Sequence, residues 1–253
     1  MSFNTYYFDH IVPENEHGIV GLGGILNDEN LLTAYKDGIF PWYNDDEDII
    51  WWSPNPRCII FPRDIHISRR MYRVIRNSNF SISFNKAFSD VIKNCAKPRN
   101  NHEGTWIHNE MYLAYMDFHK AGWCHSVEVW LNDNLIGGLY GVGVDKVFFA
   151  ESMFSNVSNG SKFALFSLCQ ILKLNNFPLI DCQIPSKHLA SLGAINILEK
   201  NNSVNSTYNG IAFTVDMLDD NPNKIRLFTL RSFGESLYHS ITDASLEFGF
   251  KAF

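Results

Sequence analysis

Residues 161–174 constrain the fold most strongly, because nearly every side of this segment is apolar. The spacing predicts a single helix over Ser161–Leu174, and most of its surface is formed by Phe163, Leu165, Phe166, Leu168, Cys169, Ile171 and Leu172. A helix that is hydrophobic all round is buried against other elements rather than lying on a surface. The chain must therefore supply a sheet large enough to cover it.

The segments around this helix supply that sheet. Three strands with hairpin-like turns precede it at 125–131, 135–142 and 146–152, and strands at 178–182 and 195–198 follow it. Apolar spacing and capping residues predict further strands at 58–61 and 80–84, and helices at 28–35, 68–77, 86–95, 109–120 and 187–192. This order predicts an α+β fold in which helices flank a mixed sheet.

The first 56 residues differ from the rest in being rich in loops and acidic residues. Trp42, Trp51 and Trp52 fall within eleven residues there, among prolines and acids, so they cannot all be core of so short a segment. We predict a small N-terminal domain over 1–56 and a larger domain over 57–253. Within the larger domain, the tail 201–253 carries no clear pattern.

Charge is distributed unevenly along the chain. The net charge of −6 argues against a bulk nucleic-acid binder, yet residues 66–110 hold eight Lys and Arg against three Asp and Glu. Arg69, Arg73 and Arg76 share one face of the predicted helix at 68–77, with Arg70 beside them. This face is either a solvated amphipathic surface or a phosphate-binding surface, since guanidinium groups fit phosphate oxygens bidentately.

The compartment is predicted from features that the sequence lacks. Residues 1–14 show neither the basic nor the apolar region of a signal peptide, and the longest apolar stretch, 135–144, is about half a membrane span. The five cysteines are scattered, without the close pairs of a metal site or the even number of a disulfide framework. The sequence therefore predicts a reduced cytoplasmic protein without a metal ion.

Polar residues at the ends of apolar strands are the candidates for chemistry. Glu151 ends one apolar run, and Asp181 and Gln183 end the next. In an extended strand, residues i and i+2 project on the same side, so the Asp181 carboxylate is expected to orient the Gln183 amide. Gln183 could then accept a proton or hydrogen bond from a substrate amine. Alternatively, Asp181 caps the following helix.

Two other sets of residues leave alternatives open. Cys182 is expected to be a small buried hydrophobic residue. Alternatively, Cys182 and His188 form a nucleophilic pair, although nothing in the sequence indicates an activated thiol. The tryptophans either pack the N-terminal domain on the larger one or form a platform for a flat base: Trp42, Trp51, Trp52 and Trp106. Stacking of this kind contributes about 1–3 kcal/mol per base.

Nine strings in order carry a resemblance to a known family. They are GIFPWY at 38–43, WWSPNPR at 51–57, EGTWI at 103–107, HSVEVW at 125–130, LIGGLYG at 135–141, ESMFS at 151–155, GSKFAL at 160–165, IDCQ at 180–183 and ASLGA at 190–194. In these strings the chain resembles the bacterial leucyl/phenylalanyl-tRNA–protein transferases. The resemblance implies a larger domain similar to the GCN5-related N-acetyltransferase fold.

The resemblance also implies an activity and its partners. The family transfers Leu or Phe, and less readily Met, from aminoacyl-tRNA to an N-terminal Lys or Arg, which marks the acceptor protein for degradation. Leu-tRNA, Phe-tRNA and acceptor proteins would be the partners, without a membrane or DNA. No cofactor is required, because the ester of aminoacyl-tRNA is already activated.

Family roles carry over to matching positions of this sequence. Trp42 and Trp106 would contact the 3′-terminal adenosine, and Asp181 and Gln183 would form a relay on the attacking amine. The aminoacyl side chain would lie in a pocket formed by Leu139, Phe148, Ala150, Glu151, Leu168 and Ile180. Two rival functions remain: an acyl-CoA-dependent N-acetyltransferase and a noncatalytic tRNA-binding protein. The acetyltransferase would require a glycine-rich loop before residue 161.

Overall fold

The computed structural model describes residues 8–13, 18–98, 105–197, 203–208, 211–217 and 225–229. The chain divides into two compact units, residues 1–196 and 197–253. The helices are α1 (Asp28–Lys36), α2 (Arg69–Asn77), α3 (Phe88–Cys95), α4 (Asn109–Lys120), α5 (Gly160–Leu174) and α6 (Lys187–Ala190). A short 3₁₀ helix spans Pro62–Asp64.

Among the described residues, eleven strands belong wholly or largely to the first unit. They are β1 (His10–Ile11), β2 (Ile19–Leu22), β3 (Phe40–Pro41), β4 (Ile50–Trp52), β5 (Arg57–Ile60), β6 (Phe80–Phe84), β7 (Cys124–Leu131), β8 (Asn134–Val144), β9 (Val147–Ser155), β10 (Leu179–Gln183) and β11 (Ile195–Ile197). Seven of these form one sheet in the order β11-β5-β10-β9-β8-β7-β6.

The seven-stranded sheet is mixed. Neighbouring strands from β6 to β9 pair antiparallel, as do β10 and β5, while β9 and β10 pair parallel. Helix α5 connects the parallel pair, as a parallel connection requires. The predicted α+β fold with a mixed sheet and flanking helices is confirmed.

Both faces of the sheet are buried, and this explains the continuous apolar runs of its central strands. Leu139 and Phe148 pack in one core cluster with the apolar side of α5. Their chain neighbours Tyr140 and Phe149 point to the other face and pack in a second cluster with residues of α1, α3 and α4. Strands covered on both faces read as hydrophobic runs rather than as an alternation.

Helix α5 is buried against the sheet, as its sequence predicts. Its start approaches β8 so closely that a Cβ on Gly137 would lie 2.6 Å from the carbonyl carbon of Gly160. A Cβ on Gly160 would in turn lie 2.8 Å from the Ile136 oxygen. The two glycines therefore allow the helix to pack on the strand.

The N-terminal segment contains more regular structure than its sequence suggests. A four-stranded sheet in the order β1-β2-β4-β3 occupies the region predicted to be rich in loops, and these strands are only two to four residues long. Helix α1 is capped by Asn27, whose side chain accepts a hydrogen bond from the Asn30 amide. Asp28, the next residue, is also a good capping type, so the sequence alone does not fix which of the two begins the helix.

Residues of the N-terminal segment share a core with the larger sheet. Trp51 is fully buried in the cluster that also holds Leu31 of α1 and Phe118 of α4. The domain boundary near residue 56 remains a prediction.

The second unit contains a sheet that the sequence did not predict. Strands β12 (Ser203–Tyr208), β13 (Ile211–Met217) and β14 (Ile225–Thr229) pair antiparallel in that order. The rest of the tail lies outside the described residues. None of the helices in the described part of the chain has the length and hydropathy needed to cross a membrane.

Candidate active site

Strands β9 and β10 separate beyond Phe149 and Asp181 and leave a gap in the sheet. Their parallel pairing ends with Phe149 opposite Asp181. Just beyond, β9 is irregular, because Tyr140 pairs with Ser152 and Gly141 with Ala150, so Glu151 has no partner residue in this register. Strand β10 shows a similar irregularity between Asp181 and Gln183. Such bulges redirect side chains and are frequent next to active sites.

Side chains of the two separating strands meet each other at this gap. Gln183 Nε2 donates a hydrogen bond of 2.8 Å to Glu151 Oε1. The Tyr35 hydroxyl, from α1, donates to the same oxygen at 2.8 Å, and the Tyr115 hydroxyl, from α4, donates to Oε2 at 3.2 Å. The two tyrosine oxygens are 2.5 Å apart. Three elements, β10, α1 and α4, thus converge on one carboxylate of β9.

Burial controls the protonation of this cluster. Desolvation raises the pKa of Glu151 to about 7, although the hydrogen bonds from Tyr35, Tyr115 and Gln183 lower it in part. Burial and the nearby Glu151 charge raise the pKa values of both tyrosines well above their ordinary value. The tyrosines therefore remain hydrogen-bond donors at neutral pH, while the Glu151 carboxyl can gain or lose a proton there.

Asp181 has a different environment from the one predicted. Arg57 binds its carboxylate through Nε at 2.9 Å to both oxygens and through Nη2 at 2.8 Å. Asp181 Oδ1 also accepts the backbone N–H of Gln183 at 2.8 Å, whereas the Gln183 side-chain amide turns to Glu151. Asp181 is only 6% exposed.

The expected i, i+2 arrangement of Asp181 and Gln183 is therefore wrong in its geometry. Gln183 has a φ of 61°, in the left-handed region, so the strand alternation on which the expectation depended ends there. The alternative, that Asp181 caps the next helix, is also wrong, because the Ser186 side chain caps α6 by accepting the Leu189 amide.

A cavity of about 580 Å³ opens at the gap between the strands. This is a usual volume for a small-molecule site. Glu151 and Gln183 lie on its wall, and most of the other wall residues are apolar or aromatic: Phe40, Pro41, Trp42, Trp106, Leu139, Ala150, Met153, Ile184 and Leu189.

The predicted aminoacyl pocket is divided between this wall and the core behind it. Leu139, Ala150 and Glu151 lie on the cavity wall. The other three predicted residues are buried in the same cluster as Leu139: Phe148, Leu168 and Ile180.

The tryptophans separate into packing and cavity residues. Trp51 is fully buried and donates from Nε1 to the Gly23 carbonyl. Trp42 is 38% exposed and lies on the cavity wall together with Trp106. Residues 103 and 104, which begin the EGTWI string, lie outside the described residues. Two accessible indoles at one cavity form a surface on which a flat ring could stack.

The basic helix has the predicted bounds and exposure. Ser68 caps α2 by accepting the Met71 amide, and Met71 is buried beneath the helix. The four arginines of this helix, which we call the arginine face, are all exposed: Arg69, Arg70, Arg73 and Arg76.

Cys182 has no activated thiol. It is buried, and a hydrogen bond with Cys58, followed by desolvation, raises its pKa well above the ordinary value. His188 lies on the cavity wall, and burial lowers its pKa. A neutral thiol does not act as a nucleophile, so the geometry does not support a Cys182–His188 pair.

Three residues of the site were not predicted from the sequence. Tyr35 and Tyr115 occupy apolar faces of their helices, where an aromatic residue reads as ordinary core. Arg57 lies in the WWSPNPR string and is one of three bases among the first 65 residues, yet nothing local indicates its partner 124 residues away.

Comparison with known proteins identifies close relatives. The sequence profile of the leucyl/phenylalanyl-tRNA protein transferases matches residues 59–204, and the profile of their N-terminal domain matches residues 24–55. A leucyl/phenylalanyl-tRNA–protein transferase of Nitrosospira multiformis is 48% identical over 188 residues, which cover 74% of this chain and 81% of the relative. The protein of that name from Azotobacter vinelandii is 48% identical, with coverage of 72% and 80%.

Another bacterial relative has the same name and a similar identity. The leucyl/phenylalanyl-tRNA–protein transferase of Hydrogenovibrio crunogenus is 47% identical over 186 residues, or 73% of each chain. Among solved structures, a conserved protein of unknown function from Bacteroides thetaiotaomicron aligns with a TM-score of 0.40 at 10% identity, over 53% of this chain and 52% of that one.

Proposed function

This chain belongs to the leucyl/phenylalanyl-tRNA protein transferase family and is an aminoacyltransferase, and we propose that it moves Leu or Phe, and less readily Met, from aminoacyl-tRNA to an N-terminal Lys or Arg. The observation that supports this most directly is a largely apolar cavity with one carboxylate–amide pair, Glu151 and Gln183, on its wall. The added residue would mark the acceptor protein for degradation.

The cavity can hold the acceptor end of the tRNA in two parts. Trp42 and Trp106 would stack on the 3′-terminal adenosine. Leu139 and Ala150, backed by Phe148, Leu168 and Ile180, would surround the aminoacyl side chain. An apolar pocket favours Leu, Phe or Met over charged residues, because a guanidinium would be desolvated there.

Gln183 would hold the attacking amine. Its Nε2 is occupied by Glu151, which leaves its carbonyl oxygen to accept a hydrogen bond from the amine. Asp181 acts behind it as a positioning residue, because its carboxylate fixes the Gln183 backbone N–H while Arg57 fixes the carboxylate. Holding the amine next to an activated ester supplies much of the rate.

The arginine face would bind phosphates of the tRNA backbone, because exposed guanidinium groups fit phosphate oxygens. We place the protein in the cytoplasm, where aminoacyl-tRNA is available. We also propose that the larger domain is related to the GCN5-related N-acetyltransferase fold. In support, β9, α5 and β10 form a parallel unit whose strands separate at the cavity.

One assay tests the proposed function. Purified protein is incubated with Leu-tRNA carrying labelled Leu and a peptide that begins with Arg, and peptide-bound label is measured. The control peptide has the same sequence with an acetylated N-terminus, which removes the nucleophile. Label on the free peptide alone supports transfer to the α-amine, and no label on either peptide contradicts it.

A further inference from the structure

We propose that Glu151 is the general base of the transfer, the carboxylate that accepts the proton lost by the attacking amine. This inference deepens the proposed function and rests on it. It assigns to Glu151 a chemical role beyond lining the aminoacyl pocket. It also separates the proton acceptor from Asp181, which then serves only to position Gln183.

The hydrogen bonds around the cavity favour Glu151 over Asp181. Asp181 is bound on both oxygens by Arg57, accepts the Gln183 backbone N–H, and is not among the cavity residues. Glu151 is on the wall, and its Oε2 accepts one hydrogen bond among the described residues, at 3.2 Å from Tyr115. A carboxylate oxygen accepts about two hydrogen bonds, so Oε2 has room for an amine proton.

Gln183 cannot replace Glu151 as the base, because a neutral carboxamide takes up a proton only in strong acid. It can bring the amine to Glu151, since its Nε2 is 2.8 Å from Glu151 Oε1 and its carbonyl oxygen is the adjacent acceptor. The two side chains thus form a single receptor for an amine. Gln183 holds one N–H while Glu151 receives another.

The chemical step balances without a cofactor. The neutral amine attacks the ester carbon, the C–N bond forms, and the nitrogen gives its proton to the Glu151 carboxylate. The ester C–O bond then breaks, and the proton ends on the ribose oxygen that leaves the aminoacyl group. Glu151 returns to its ionised form, ready for the next turnover.

The groups that face Glu151 suit this role. From the elements packed around it these are Tyr35 of α1, Tyr115 of α4, Cys124 of β7, Tyr140 of β8 and Asp181 of β10. Burial raises the pKa values of the three tyrosines and of Cys124, so these four groups stay uncharged near neutrality. A base is most effective when its pKa is near the working pH, and the pKa of Glu151 is about 7.

The pH dependence of the reaction tests the assignment. We measure kcat/KM for an Arg-initiated peptide between about pH 5.5 and 9 at saturating Leu-tRNA. The acceptor amine itself titrates near pH 8. Because both Glu151 and the amine must be deprotonated, log kcat/KM of the wild type should rise at low pH with a slope approaching about 2.

Glu151→Gln should lose one of these two ionisations. We expect a slope of about 1, kcat/KM lower by about 10²–10⁴-fold at neutral pH, and unchanged affinity for Leu-tRNA. Tyr35→Phe removes a hydrogen bond that stabilises the ionised carboxylate, so it should move the enzyme ionisation to higher pH. Tyr43→Phe is the matched control, because it removes a hydroxyl that donates to Glu110 instead.

Three results would overturn the proposal. One is a slope of about 2 retained in Glu151→Gln, and another is loss of the ionisation in His188→Gln instead. The third is a loss of Leu-tRNA affinity in Glu151→Gln that matches its loss of rate, which would make Glu151 only a pocket wall. Failure of the wild type to transfer label at all is a separate outcome, which rejects the proposed function itself.

Discussion

Ala150 is the smallest residue on the wall of the cavity, which also includes Leu139 and Met153. Ala150→Val would add bulk where the aminoacyl side chain is expected to lie. We predict that transfer of Phe falls about tenfold or more relative to Leu, since one or two carbons in an apolar pocket discriminate by about 1–3 kcal/mol. Competition between Leu-tRNA and Phe-tRNA measures the ratio.

Ala121→Val, at an exposed position after α4, is the control for this change. It should leave the Phe-to-Leu ratio as in the wild type. A ratio that Ala150→Val does not alter would place the aminoacyl side chain elsewhere.

The pair formed by Arg57 and Asp181 should matter for both stability and turnover. Their side chains are 17% and 9% exposed, so Asp181→Asn leaves Arg57 as an unpaired cation in a largely buried place. We predict a free energy of unfolding lower by about 3–5 kcal/mol, measured in urea, and a lower kcat with unchanged Leu-tRNA affinity.

A double variant, Arg57→Met with Asp181→Leu, separates the two effects of this pair. Removal of both charges should restore much of the stability that Asp181→Asn loses, but not the turnover, because leucine offers no acceptor for the Gln183 backbone N–H. A single variant as stable as the wild type would show that the ion pair contributes little.

Among the individual residues of the site, the sequence identified Glu151, Asp181 and Gln183 but not the hydrogen bonds between them. The left-handed φ of Gln183 has no local signal, because glutamine has no preference for that region. The hydrogen bond between Tyr35 and Glu151 joins residues 116 positions apart. Hydrogen bonds of this kind depend on how the helices pack against the whole sheet.

Among the elements, α2 and its arginine face should determine how strongly tRNA binding depends on salt concentration. Arg69→Glu, Arg73→Glu and Arg76→Glu together should weaken tRNA binding. They should also reduce the slope of log K against log salt by about 0.9 for each phosphate that the variant no longer neutralises. Binding titrations over a range of salt concentrations measure both effects.

Lys36→Gln with Lys120→Gln serves as the control, since both lysines are exposed on other helices. This variant should keep the salt slope of the wild type. An unchanged slope after reversal of the arginine face would make that face an ordinary solvated surface.

The elements differ in how well local sequence predicts them. The bounds of α2 and α4 agree with the prediction because Ser68 begins one helix and Gly122, with a φ of 86°, follows the other. The strands β1 to β4 were not predicted because each is too short to show an alternation of apolar and polar residues. The bulges in β9 and β10 escaped because they are set by pairing with neighbouring strands.

For the whole molecule, the partly buried Glu151 should make stability depend on pH. Its pKa is about 7 in the folded protein against 4.5 ordinarily, so the folded state holds a proton that the unfolded state has lost between these values. The contribution of Glu151 is therefore fully present below about pH 4.5 and is lost as the pH rises through about 7.

Comparison with Glu151→Gln isolates this term. The wild type should lose about 3 kcal/mol of unfolding free energy relative to the variant between about pH 4.5 and 8. Urea unfolding of both proteins across this range measures it. A difference that stays constant with pH would mean that Glu151 titrates as an ordinary solvated acid.

The reaction proposed for this cavity joins an aminoacyl ester to the α-amine of a protein. The most direct test offers the protein a mixture of all charged tRNAs and a peptide that begins with Lys, and sequences the product by tandem mass spectrometry. We predict Leu or Phe joined to the α-amine of the Lys. Addition of Arg, addition to the Lys side chain, or an unmodified peptide would rule out transfer of Leu or Phe to the α-amine.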